Sequence, residues 1–190
     1  MKCSVIPCGR LYANCCILSD GEGNAIVLDP GGDLPVLEEW LRREGLTVRL
    51  ILLTHGHEDH TGALAALKER TGAPVCVHRE DAYRLPVEAD RLLEDGEEVS
   101  VGEMKLKVLH TPGHTEGSVC YYAPGDFLLS GDTLFRESVG RTDFPGGSYP
   151  RLMASLEKIF SAVDGEVIVI PGHGEYTTLD YEREFNPFIR

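Results

Sequence analysis

The sequence predicts an α/β fold, on two observations. Short apolar runs of strand length are interleaved with amphipathic stretches of helical length. Three of the apolar runs also end in loops that hold His or Asp, where open α/β sheets gather their functional residues.

The elements follow in order. Residues 5–7, 13–18 and 25–28 are apolar runs that read as strands, and Asp20-Gly21-Glu22-Gly23-Asn24 is a turn between the last two. The chain breaks at Asp29-Pro30-Gly31-Gly32. Over 34–43, Leu34, Leu37, Trp40 and Leu41 recur at helical spacing, with Gly45 as the C-terminal stop. Residues 50–53 are all apolar, as in a strand buried on both faces. A helix is predicted over 61–70, closed by Gly72, and a strand over 75–77. The acidic stretch 81–99 yields no assignment. Residues 104–109 alternate as a strand, and the runs 119–122 and 127–129 flank the turn Pro124-Gly125-Asp126. Ser148 is placed to cap a helix running to 160, and 167–170 is a further buried strand ending at Pro171-Gly172.

A chain of 190 residues suits one domain spanning 1–190, with a good core. The apolar share of 42% and charged share of 26% fit a soluble globular chain. A net charge of −13 disfavours nucleic acid and anionic membranes as partners, since both need a surplus of Lys and Arg on one face. No run approaches the roughly 20 apolar residues of a membrane-spanning helix. The N-terminus does not read as a signal peptide, so the expected location is the cytoplasm. The six cysteines form no C-x-x-C pair and read as small, reduced, buried strand residues.

The chemistry is concentrated in LTHGHEDHTG, residues 53–62. In an extended chain, residues i and i+2 point the same way, so His55 and His57 can aim two imidazoles at one point. Asp59 and His60 follow as the chain turns into a helix and can face a second point nearby. Imidazole and carboxylate together suit zinc, manganese or iron. One loop supplies too few ligands, and His114, Asp132 and His173 extend the set, each after an apolar strand and among glycines. His110 is expected to hydrogen-bond behind a ligand. Asp29 is expected either to orient a ligand histidine or to form a turn before Pro30. His78 is expected on the surface.

The pattern His55-x-His57-x-Asp59-His60, followed by His114, Asp132 and His173, resembles the metallo-β-lactamase superfamily over most of the chain. Within it the chain is similar to glyoxalase II (hydroxyacylglutathione hydrolase), especially the single-domain YcbL-like branch. GRTDFPGGS at 140–148, PGHG at 171–174, Thr177-Thr178 and Asn186-Pro187-Phe188 carry that likeness. The resemblance implies a four-layer αββα sandwich with two divalent metal ions between its sheets, zinc first, with iron or manganese also accepted. His55, His57 and His114 would hold one ion, Asp59, His60 and His173 the other, and Asp132 would bridge them. Several true β-lactamases carry cysteine at the position of Asp132. The implied reaction is hydrolysis of an S-acylglutathione-type thioester such as S-lactoylglutathione, with Asp59 also accepting a hydrogen bond from the nucleophile. Arg141 would approach a glutathione carboxylate, or else pair with Asp143, and Tyr176 would lie near the substrate. The alternative is a persulfide dioxygenase using one iron on His55, His114 and Asp132.

Overall fold

Alternation inside the all-apolar runs sorts the side chains into separate layers. A strand turns successive residues to opposite faces, so a run buried throughout must pack against something on both sides. The computed structural model, which describes residues 1–189, bears this out in two six-stranded sheets. The first contains β1 (Lys2–Cys8), β2 (Ala13–Ser19), β3 (Asn24–Leu28), β4 (Thr47–Leu52), β5 (Val75–His78) and β6 (Arg91–Leu93), in that spatial order. β1 to β3 pair antiparallel, and β3 to β6 pair parallel.

The second sheet is built from β7 (Glu98–Val101), β8 (Met104–His110), β9 (Val119–Ala123) and β10 (Phe127–Gly131), and later from β13 (Ile168–Pro171) and β14 (Thr177–Thr178). Its spatial order is β14-β13-β10-β9-β8-β7, antiparallel except between β10 and β13. A separate two-stranded hairpin, β11 (Leu134–Phe135) and β12 (Ser138–Val139), follows β10.

Between the sheets lie Leu18, Ile26, Leu28, Leu50 and Leu52 from one and Leu106, Val108, Tyr121 and Leu129 from the other. The alternate residues Ile17, Val27, Ile51 and Val75 face outward. They are covered by Leu37 and Leu41 of α1 (Leu34–Arg43) and by Leu64 and Leu67 of α3 (Leu64–Thr71). On the far side Cys120, Leu128 and Val169 are covered by Leu156 and Ile159 of α4 (Tyr149–Ala162) and by Leu179 of α5 (Leu179–Phe185). Three apolar layers thus separate four layers of structure, the αββα sandwich that the resemblance implied.

The sheets are also tied by polar bonds near the end that carries the histidines. Tyr121 Oη donates to Leu53 O at 2.7 Å, Val119 N to Thr54 O at 2.8 Å and Asn14 N to Gly172 O at 2.7 Å. The helix expected over 61–70 is two elements, α2 (Glu58–Thr61) and α3. They part where Ala63 N–H donates to Pro30 O at 2.8 Å, a tertiary bond that pins the turn to the Asp29–Gly32 break. Ser148 stands at the N-cap of α4, but its side chain makes no capping bond. All six cysteines are free, five of them buried. Among the described residues no helix is long and apolar enough to cross a membrane.

Leu52 is fully buried in the layer between the sheets. Leu52→Ala is expected to lower the unfolding free energy by about 2–5 kcal/mol in urea denaturation. A loss below about 1 kcal/mol would show that this layer is not the tight core.

Candidate metal centre

Five imidazoles and two carboxylates converge where β4, β8, β10 and β13 end. His57 is extended (φ −71°, ψ 151°) and leads directly into α2, whose first residues include Asp59 and His60. The donor atoms of His55, His57 and His114 lie within 4.8 Å of one another, as do those of Asp59, His60 and His173. A third group, His55, His60 and Asp132, joins the two. Asp132 Oδ1 is 3.4 Å from His60 Nε2, and its Oδ2 is 3.5 Å from His114 Nε2 and 3.7 Å from His173 Nε2. Gly172 makes room for this approach, because a Cβ there would run into Asp132 Oδ1 and stand 2.8 Å from His60 Cε1.

The groups behind the imidazoles fix which nitrogen faces inward. His114 Nδ1 is 2.8 Å from Arg141 O, and His173 Nδ1 is 3.1 Å from Leu11 O. A carbonyl only accepts, so each Nδ1 carries a proton and Nε2 is the nitrogen that faces the centre. His60 Nδ1 donates in the same way to Asp29 Oδ2 at 3.0 Å. Thr54 Oγ1 gives its proton to Asp29 Oδ2 at 2.6 Å and so accepts from His55 Nδ1 at 3.1 Å. Only His57 differs, presenting Nδ1 to His114 Nε2 at 2.9 Å. Asp29 itself is buried at φ 49°, a left-handed conformation that Asp tolerates better than most residues.

Lone pairs brought this close repel unless a proton or cation lies between them. His57 faces His114 at 2.9 Å, and His60 Nε2 faces His173 Nε2 at 3.2 Å. His55 Nε2 is buried without any hydrogen-bond partner among the described residues, and Asp132 Oδ1 has only the long 3.4 Å approach to His60 Nε2. Such orphans are costly in a protein interior and are what a cation satisfies. The donor set therefore fits a metal pair.

Electrostatics divide the two sets. Burial, reinforced by the neighbouring imidazoles, holds His55 well below the ordinary histidine range and lowers His57 as well. Both are neutral donors. Burial also opposes charge on His60, but Asp132 and Asp29 outweigh it and raise the group. The hydrogen bond to Asp59 raises His173 and in turn holds Asp59 at about 2. Two N–H groups cannot face each other at 3.2 Å, so the space between His60 Nε2 and His173 Nε2 accepts at most one proton.

The structure relocates several other residues. His78, expected on the surface, is buried, because its ring stacks on His110 at 3.9 Å beneath a 3-10 turn, Arg79–Arg84. The hydrogen bonds of His110 reach no ligand histidine; its Nε2 donates to Glu116 O at 2.9 Å. His78, Glu80 and His110 form a further group of donor atoms. There, however, His78 Nδ1 accepts from Glu80 N–H and His110 Nε2 is spent on Glu116, which leaves one lone pair between two rings. The Arg141 guanidinium grips Asp143 at 2.7 and 2.8 Å and stacks on Phe144, while its backbone oxygen braces His114.

The ligands floor an open cleft of about 1010 Å³. Leu11, Phe135, Val139 and Phe144 give it apolar walls, and Arg10 and Arg141 line it as cations. Tyr176 is not part of this lining; the chain turns at Gly174 (φ 76°) and leaves it beside two smaller hollows. Arg10 and Leu11 had no signal in the sequence, since only the pairing of β1 with β2 carries their turn to the cleft.

The metallo-beta-lactamase superfamily profile matches residues 8–173. The chain belongs to that superfamily. Among its relatives, hydroxyacylglutathione hydrolase GloC of Haemophilus influenzae is 33% identical over 208 residues, spanning 100% of this chain and 98% of that one. The crystal structure of BLEG-1 B3 metallo-beta-lactamase superposes with a TM-score of 0.94 at 36% identity, covering 99% of both chains. TTHA1623 in a di-iron-bound form gives a TM-score of 0.88 at 38% identity, over 97% of this chain and 99% of that one. The chain is thus a metallo-beta-lactamase superfamily hydrolase with a site built for metal.

A protonated His60–His173 pair cannot ligate, so metal uptake near neutral pH is expected to release about one proton from it. Affinity is then expected to fall as pH falls. Calorimetric titration with zinc in buffers of different ionisation enthalpy checks both. A binding enthalpy independent of the buffer would show that the pair is already neutral.

Proposed function

We propose that this chain hydrolyses the thioester of a small anionic thiol, of the S-acylglutathione type, with S-lactoylglutathione as the representative substrate. The observation that carries the reading is Asp132, a carboxylate set between two complete donor groups on the floor of the cleft. The likeness to GloC along the whole chain supports the substrate class.

Two divalent cations, when bound, supply an acidified water and a Lewis acid for a carbonyl oxygen near neutral pH. Zinc leads among the candidates, and iron and manganese suit the same nitrogen and oxygen donors. Asp59 is ionised, half-buried and lines the cleft, so it accepts a hydrogen bond from the attacking nucleophile and orients it. Phe135, Val139 and Phe144 offer the acyl group an apolar wall. A thiolate leaves readily, so no proton donor is required and Asp59 serves as an acceptor throughout.

Arg10 is exposed, lines the cleft and forms no ion pair among the described residues, whereas Arg141 is already neutralised by Asp143. On a chain of net charge −13, Arg10 is the cation that meets the anionic end of the substrate. The free cysteines accord with a reducing cytoplasm as its setting.

Metal content of untagged protein purified without chelator, followed by turnover of S-lactoylglutathione, tests the reading. About two metals per chain and thioester hydrolysis are expected, with both lost in Asp132→Ala. Retention of both by that variant would overturn the dinuclear reading. One iron per chain, with oxygen uptake on glutathione persulfide, would replace hydrolysis with sulfur oxygenation. Turnover of a β-lactam alone would move the substrate class toward that named for BLEG-1.

Arg10→Ala is expected to raise KM for the thioester about tenfold with kcat nearly unchanged, the signature of a lost charged contact shared by ground and transition states. A smaller effect than that of Arg141→Ala in the same assay would reverse the two roles.

A further inference from the structure

A carboxylate outside the ligand set is as deeply buried as any ligand. Asp81 has no exposed surface and lies in the 3-10 turn Arg79–Arg84, within sequence that yields no assignment by pattern. Burying a carboxylate is unfavourable unless its lone pairs are satisfied. Here they are, by donors from distant parts of the chain. Asp81 Oδ2 accepts from Gly56 N–H at 2.7 Å and from the Thr115 hydroxyl at 2.9 Å. Asp81 Oδ1 accepts from Gly117 N–H at 2.9 Å, and Arg84 Nε stands 3.4 Å away.

Those donors are placed tellingly. Gly56 separates His55 from His57, and Thr115 follows His114. We infer that Asp81 is a positioning residue that fixes the His55-Gly56-His57 stretch against the His114 loop, and so sets the first trio of donors. The inference rests on the metal-centre reading above. Asp81 touches none of the three imidazoles; it acts through the backbone that carries them.

Three observations make the clamp specific. First, the turn is wedged between two backbones with no room for side chains. A Cβ on Gly56 would stand 2.6 Å from Arg84 Cβ, and one on Gly117 would stand 2.5 Å from Asp81 N. Second, the Thr115 hydroxyl is committed to Asp81. Thr115 N–H donates to Ser118 Oγ at 3.0 Å, and Ser118 donates its own hydroxyl proton to Thr115 Oγ1 at 2.7 Å. Third, the remaining donors are braced elsewhere. Asp29 holds His60 directly and His55 through Thr54, and Leu11 O holds His173. Asp29 makes no hydrogen bond to His57 or His114. Asp81 and Arg141 O therefore help to set the 2.9 Å spacing between their facing nitrogens, beside the bonds that Thr61 Oγ1 and His60 N–H donate to His57 O.

The test separates the two donor groups. His173→Ala leaves the His55–His57–His114 set intact, and His114→Ala leaves the Asp59–His60–His173 set intact. Each background is titrated with Co(II), read by its visible absorption, with and without Asp81→Asn. Asp81→Asn is expected to weaken Co(II) binding about tenfold or more in the His173→Ala background, the usual effect of removing a group behind a ligand. In the His114→Ala background it should weaken binding less than about twofold, as for independent sites. Equal loss in both backgrounds would mark Asp81 as a general structural residue and overturn the inference. So would the absence of loss in the His173→Ala background. If Asp81→Asn does not fold, Thr115→Val removes one donor and should show the same asymmetry, and the same results overturn the inference. Wild-type protein that binds no Co(II) overturns the metal reading and this inference together. Wild-type protein that binds two, with a neutral Asp81→Asn, overturns the inference alone.

Discussion

Two close encounters between imidazole nitrogens, at 2.9 and 3.2 Å, are the constraint on which the rest of this structure depends. Two ring nitrogens come that close only with a proton or a cation between them, and burial raises the cost of leaving either unmatched by removing water. The chain holds them there with a ring of acceptors behind the imidazoles. Asp29, Thr54, Arg141 O and Leu11 O each take an Nδ1 proton. Each acceptor orients a ring and fixes its tautomer in one contact. Without these groups the rings could rotate apart, and the centre would lose its shape before any metal arrived.

The sandwich supplies what the acceptors need, which is backbone that does not move. The strands that lead into the centre are buried on both faces near their ends, at Ile51 and Leu52, Val108 and Leu109, Leu128 and Leu129, and Val169 and Ile170, so shifting a ligand loop means disturbing two apolar layers at once. The bonds from Tyr121 to Leu53 and from Val119 to Thr54 lock one sheet to the other beside His55. Asp29 shows how closely fold and site are joined. It ends the β3 run in a left-handed conformation, accepts from Thr54 N–H at 2.8 Å and still reaches His60.

What the sequence made legible was local. His55, His57, Asp59 and His60 fall within six residues, so extended-chain and helix geometry alone could sort them into two groups. The helix over 34–43 was legible because its apolar residues repeat on one face, and its bounds are those observed. What stayed hidden depends on contacts across long stretches of chain. Asp81 looks like any acid in an acidic stretch until Gly56, Thr115 and Gly117 are seen around it. Glu182 is similar: it is buried in α5 because Thr177, Glu137 N–H and Asn186 converge on it. His78 and His110 were misplaced for the same reason, since nothing local says that two rings 32 residues apart will stack.

Charge directs an anion to the same centre. The chain carries −13 overall, yet its proposed substrate is an anion. Asp59 and Asp132, with five neutral imidazoles, cannot neutralise two dications, so the loaded centre remains cationic. Asp29 and Asp81 stand behind it, each engaged by hydrogen bonds that spread its charge into the protein. On the cleft side, Arg141 is paired with an acid, and Arg10 has no ion pair among the described residues. The field seen by an approaching anion is therefore set by the floor of the cleft and by one hairpin turn, against a surface that otherwise repels it. That contrast confines productive binding to the place where the nucleophile would be held.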